Sequence, residues 1–272
     1  MASKIRWSLP DGVDELLPPK AIEVETLRRC LIDEYINSGY EFIIPPLLEL
    51  SETIGGEAHD EIRSHAFSFR DDLTGKNLSI RPDISEQASR IDAYRIQSND
   101  TVRLCYAGEV VKSKASKVLR SRTTIQVGAE IFGDSSIEAE LESIKLMLNS
   151  LKISGVQSIT LSLGHAGFTA SVLEPFKSLG KEIFSNIETA LSKKSKSDLM
   201  AIIPDNHESK SSLINLCNMY GKKDVLKIAK TEYSNIKNSD NLLDHLEKVV
   251  TELEDFTKVN LHIDLGEIQG FK

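Results

Sequence analysis

The clearest alternation of apolar and polar positions runs through Thr123–Gly133. Ile125, Val127, Ala129 and Ile131 fall on one face, and Gln126, Gly128 and Glu130 on the other. This period of two predicts a half-buried strand. Its polar face is either an ordinary solvated surface or one wall of a pocket. An amide, a gap and a carboxylate in succession suit a small ligand that carries N–H groups. Gln126 can donate and accept, an ionised Glu130 only accepts, and Gly128 leaves room for close approach.

The other elements follow from the same kind of pattern. Pro18-Pro19 opens a helical run in which Ile22, Leu27, Leu31 and Tyr35 recur until Gly39 ends it. Glu41–Pro46 reads as a short strand stopped by proline. Phe67–Arg70 and Leu78–Arg81 form a hairpin around 71–77. Ser85 is expected to cap a helix reaching about Arg95. Val102–Lys112 and Arg122–Phe132 are strands flanking a basic loop with Lys114, Lys117 and Arg120, a solvated hairpin or a surface for an acidic partner. Ser135 with Glu138 forms a capping-box pattern, followed by Ile137, Leu141, Ile144, Leu148 and Leu151 at helical spacing. Ile159–Leu163 is another strand, ending at Gly164-His165; a histidine there is expected to be structural. From about 168 to 256 the pattern is helical, closing on Leu242, Leu246, Val249, Val250 and Leu253. Strand character returns at Val259–Leu265. A helical block thus interrupts a mostly antiparallel sheet with helices, an α+β arrangement.

Composition narrows the function classes. The 272 residues suffice for one large domain or two small ones. A formal charge of −8 argues against a chain whose main partner is nucleic acid. Three scattered cysteines, Cys30, Cys105 and Cys217, read as reduced thiols of a cytoplasmic protein. The first residues contain no apolar secretory core, and no run of about 18 apolar residues would span a membrane. The histidines form no close helical pair, so no metal site and no cofactor is expected.

The motifs Leu9–Leu17, Ile43–Pro46, Ile80–Asp83, Leu104–Gly108, Gln126–Glu130 and Asp264–Gly270 occur in an order that resembles class II histidyl-tRNA synthetases. The order resembles still more the non-synthetase paralogues of those enzymes, the ATP phosphoribosyltransferase regulatory subunits. The resemblance covers about residues 5–165 and 258–272. It implies a class II aminoacyl-tRNA synthetase-like antiparallel sheet flanked by helices. Residues 1–166 and 257–272 would form this core, with its C-terminal part missing relative to the family, and 167–256 would be a helical insertion. It places Gly39–Pro46 at the class II dimer motif, which implies self-association. It places Asp83 and Ser85 where the α-amino group of histidine is held, and Gln126 and Glu130 where its amino and imidazole nitrogens bind. Tyr106 would be a core aromatic whose hydroxyl reaches that pocket.

Amino-acid activation needs cations at the ATP phosphates, where charge builds in the transition state. Lys112 stands where the family's synthetases have an arginine and cannot offer its bidentate fork. Lys114 replaces a glutamate, and Gln269 falls where the catalytic arginine would be; Arg122 remains. The resemblance therefore implies a non-catalytic subunit. It would activate the short catalytic ATP phosphoribosyltransferase and take part in histidine feedback in the first step of histidine biosynthesis, without tRNA. A divergent or truncated histidyl-tRNA synthetase and a stand-alone histidine-binding module are the alternatives.

Overall fold

The structure, a computed structural model, describes residues 8–55, 60–115, 120–256 and 259–268. The chain divides into two compact units, Met1–Val156 and Gln157–Lys272.

In the first unit, α1 (Lys20–Asn37) leads into β1 (Glu41–Phe42) through Gly39, whose φ of +92° suits a residue without a Cβ. Then come β2 (Leu48–Leu50), α2 (Asp60–Ser64), β3 (Phe67–Arg70) and β4 (Asn77–Ile80). They are followed by α3 (Ser85–Ile91), which continues into a wider turn over Asp92–Ile96. Next are the long strands β5 (Val102–Val111) and β6 (Thr123–Phe132), and α4 (Ile137–Ile153).

Two three-stranded sheets result. One has the order β2–β4–β3 and is antiparallel, with the expected 67–81 hairpin at its edge. The other has the order β1–β5–β6, with β1 parallel to β5 and β5 antiparallel to β6. The predicted strand at 41–46 is thus only two residues long. Pro45 and Pro46 carry no N–H and cannot extend the ladder.

The register of β5 on β6 sorts the side chains. Val127, Ala129 and Ile131 pack with Cys105, Tyr35 and Tyr40 beneath α1 and with Leu146 of α4. This anchors one face of the ribbon. Arg103 of β5 and Glu142 of α4 form a two-pronged ion pair (2.7 and 2.8 Å) that fixes the helix over the strand. The cap of α4 is one residue later than predicted. Asp134 Oδ1 accepts from Ser136 N (2.9 Å), and Ser136 Oγ accepts from Ala139 N (3.2 Å), so Ser136 rather than Ser135 is the N-cap.

The second unit holds β7 (Thr160–Leu163), α5 (Ala166–Leu173), α6 (Lys181–Ser192), α7 (Lys196–Ile202), α8 (Lys210–Leu216), β8 (Tyr220–Gly221), α9 (Asp224–Glu232), α10 (Ser239–Phe256) and β9 (Asn260–Asp264). The two strands foreseen at its ends pair with each other, β7 parallel to β9, and β8 adds an antiparallel edge from within the helical stretch. Its core contains Phe168, Phe176, Leu199, Leu213, Leu226 and Tyr233. Phe168 meets Tyr233 edge to face at 5.3 Å, and the Tyr233 hydroxyl donates to Ser212 O (2.9 Å). His165 is the N-cap of α5, accepting from Phe168 N at 3.4 Å, in keeping with a structural role.

Candidate functional site

The other face of the β5–β6 ribbon carries the candidate site. Tyr106 lies opposite Gly128, Gly108 opposite Gln126, and Leu104 opposite Glu130. Each glycine opens a space for one large polar side chain. At Gly108 a Cβ would lie 2.3 Å from an Arg81 guanidinium nitrogen; at Gly128 it would lie 2.5 Å from the Tyr106 hydroxyl. The gap expected at Gly128 is therefore filled from the neighbouring strand and does not admit a ligand directly.

Five of the residues singled out from sequence come together here. Asp83 Oδ1 accepts from Ser85 N (2.8 Å) and from Gln126 Nε2 (3.0 Å). Gln126 Oε1 accepts from Ile84 N (2.9 Å). The first amides of α3 are thus satisfied by Asp83 and Gln126 rather than by a Ser85 cap. The Ser85 hydroxyl instead lies 2.9 Å from Tyr106 Oη, and Tyr106 Oη donates to Glu130 Oε1 (3.0 Å). Because the Tyr106 proton points to Glu130, Ser85 must donate to Tyr106. Burial pushes the Tyr106 phenol well above its ordinary pKa, and the neighbouring Glu130 and Asp83 carboxylates add to this against the Ser85 hydrogen bond; the hydroxyl keeps its proton and remains a donor.

Chemically, the cluster is rich in acceptors. Among the described residues, the second carboxylate oxygens of Asp83 and Glu130 carry no hydrogen bond, while both ends of the Gln126 amide are engaged. Two half-buried carboxylates suit ammonium and ring N–H groups and repel phosphate.

Arg81, just past the end of β4, frames the cluster. It is buried, and donates through Nε to Glu109 O (2.8 Å) and through Nη1 to Pro45 O (2.8 Å) and Gln87 Oε1 (3.3 Å). Desolvation lowers its pKa, against the pull of Glu109 and Glu49. It ties the segment after β1, strand β5 and helix α3 into one frame beside the cluster. The signal in sequence was Gly108, whose missing Cβ makes the space.

The positions expected from the resemblance to match a nucleotide site behave differently. Lys112 and Lys114 are exposed, and among the described residues their ammonium groups have no partner. Arg122 is occupied: it donates to Lys112 O (3.3 Å) and Asp11 O (3.2 Å), and its guanidinium lies 4.4 Å over the Phe67 ring. Gln269 lies outside the described residues, as does Lys117 of the basic loop. Among the described residues no cluster of three metal-binding side chains occurs, and no helix is long and apolar enough to cross a membrane.

The mixed sheets with their helices and the acceptor-bearing strand define a class II aminoacyl-tRNA synthetase-like protein. A structure from Bacillus halodurans, described as an ATP phosphoribosyltransferase regulatory subunit/histidyl-tRNA synthetase, shares this fold. It has a TM-score of 0.76 and 22% identity, over 96% of this chain and 69% of that one. An ATP phosphoribosyl transferase complex from Thermotoga maritima also matches, with a TM-score of 0.61 and 16% identity over 93% and 82% of the two chains. The family model for histidyl-tRNA synthetase matches residues 12–272. The ATP phosphoribosyltransferase regulatory subunit of Burkholderia cenocepacia is 35% identical over 266 residues, 97% of this chain and 69% of that relative. This chain belongs to the histidyl-tRNA synthetase-like family of ATP phosphoribosyltransferase regulatory subunits.

Proposed function

We propose that this chain binds the short catalytic ATP phosphoribosyltransferase subunit, raises its turnover, and senses histidine through Asp83, Ser85, Gln126 and Glu130. The observation that carries the histidine assignment is that the Asp83 and Glu130 carboxylates belong to one hydrogen-bonded cluster with Ser85, Tyr106 and Gln126, each with one oxygen engaged internally. The free oxygens suit an α-ammonium group and an imidazole N–H, and the Ser85–Tyr106 hydroxyls connect the two ends of the cluster. The regulatory role is supported by the family, and the catalytic partner by the complex found among its structural relatives. Feedback then follows from linkage: histidine inhibits to the extent that it binds the less active state of the assembly more tightly.

Self-association through Gly39–Pro46 belongs to the same proposal. Ile44 stands 84% exposed in that segment, an apolar side chain that a second copy would cover. Amino-acid activation gains no support: Arg122 is held by backbone carbonyls and Phe67, and two lysines stand where a synthetase needs an arginine and a carboxylate.

Titration calorimetry with L-histidine tests the ligand assignment. The full chain is expected to bind, and Glu130→Ala to weaken binding by roughly 1–3 kcal/mol, the usual cost of leaving a polar group without its partner. Unchanged affinity in that variant would move histidine elsewhere.

A further inference from the structure

We propose that Tyr106 is the positioning residue of the acceptor cluster, acting through Glu130, and that Gly128 is the gap that lets it do so. This rests on the histidine reading above. Tyr106 is 2% exposed and packed among Ile84, Ala88 and Val110, so little of it can face a ligand. Its hydroxyl is also engaged by its neighbours: the proton goes to Glu130 Oε1 and Ser85 donates to the oxygen. With its proton committed to Glu130 and its ring covered, it has little contact of its own to offer a ligand. Its effect is instead on the carboxylate.

A glutamate on a half-buried strand has three rotatable bonds. The bond from Tyr106 holds one oxygen and so aims the other. Rotamer freedom is then lost on folding rather than on binding, which favours a small ligand that offers few contacts of its own.

Gly128 sets the geometry. A Cβ there would lie 2.5 Å from the Tyr106 hydroxyl oxygen, 2.6 Å from Cζ and 2.8 Å from Cε2. The ring would have to retreat by about an ångström to reach ordinary contact, more than the 3.0 Å hydrogen bond to Glu130 tolerates. Ile84, Ala88 and Val110, packed in one cluster with the ring, oppose that retreat. Gly128 therefore specifies the orientation of a carboxylate two residues along the same strand, by way of a side chain from the neighbouring one.

The test is a double-mutant cycle on the full chain, read by calorimetry with L-histidine: wild type, Tyr106→Phe, Glu130→Ala and the double variant. Tyr106→Phe removes one oxygen and preserves the ring; circular dichroism confirms that each variant folds. Tyr106→Phe is expected to weaken binding roughly five- to tenfold in the wild-type background and to change it by less than twofold once Glu130 is alanine. Unchanged affinity in Tyr106→Phe, or equal losses in both backgrounds, would overturn the proposal, since a merely structural tyrosine would act regardless of residue 130.

A ligand-free arm separates this proposal from the histidine reading. Side-chain NMR of Glu130 is expected to show one rotamer in the wild type and averaging in both Tyr106→Phe and Gly128→Ala. Averaging already present in the wild type would sink the positioning role. A wild-type chain that holds Glu130 in one rotamer yet gives no heat with L-histidine would instead sink the ligand assignment.

Discussion

Replacing Arg81 with methionine should loosen the frame beneath the candidate site more than any surface change in the first unit. Methionine fills similar space without donors. It would leave Pro45 O and Glu109 O, each bonded at 2.8 Å in the native chain, without that donor, together with Gln87 Oε1 at 3.3 Å. Removing a donor from a buried acceptor such as Pro45 O costs about 1–3 kcal/mol, with bonds to a charged group at the upper end, and less at the part-buried Glu109 O. Against this stands the desolvation of the guanidinium, the cause of its lowered pKa, which the substitution relieves. Two strong bonds and one weak one, less that relief, give a net loss of roughly 2–4 kcal/mol.

Because the chain forms two compact units, a single global unfolding curve would mix their responses. Hydrogen exchange followed by mass spectrometry, read on peptides spanning β5 and β6, reports the frame alone. The opening free energy of those peptides should fall by the stated amount in Arg81→Met, while peptides of α6 and α9 exchange as before. Arg81→Lys should recover only part of the loss, since one ammonium cannot copy the fork that reaches both Pro45 and Glu109. A loss below about 0.5 kcal/mol, the level of an ordinary surface change, would refute the assigned role.

Two further outcomes follow from the first unit. Arg103, more than any other neighbour, holds the Glu142 carboxyl below its usual range, helped by a hydrogen bond from Tyr40. A depressed folded pKa stabilises above the ordinary carboxylate range and ceases to do so as the pH falls through the lowered value. Glu142→Gln should thus cost about 1 kcal/mol at neutral pH, with the gap to wild type shrinking as the pH falls below the ordinary carboxylate range; a gap in the exchange of α4 and β5 peptides that is as large in acid as at neutral pH would contradict the ion pair. Ser136→Ala should destabilise α4 by about 1 kcal/mol and Ser135→Ala by a few tenths at most, because only Ser136 caps the helix; equal effects in exchange rates of the first turn would contradict that placement.

Local patterns announced the elements well. The alternation of β6 placed Val127, Ala129 and Ile131 against the helices and Gln126 and Glu130 on the opposite face, because a period of two leaves no other choice once one face is buried. The amphipathic run from Ile137 marked α4. The contacts that local pattern does not carry are non-local. Arg81 is joined to Pro45 and Glu109 across 36 and 28 residues of chain, and no window around it reveals such partners. Gly128 suggested an opening for a ligand, but the opening is occupied by Tyr106 from the paired strand, which only the register discloses. The capping role given to Ser85 fell to Asp83 and Gln126, since the hydroxyl has a better partner in Tyr106. Strand β8 was too short to stand out among helical neighbours.

The most direct measurement is the turnover of the short catalytic ATP phosphoribosyltransferase, with and without this chain and over a range of histidine concentrations. Adding the chain is expected to raise turnover. Histidine is expected to suppress the raised rate, and Glu130→Ala to shift this suppression to higher histidine without abolishing activation. Turnover unaffected by the chain would contradict the regulatory assignment, and suppression identical in wild type and Glu130→Ala would contradict the acceptor cluster as the histidine sensor.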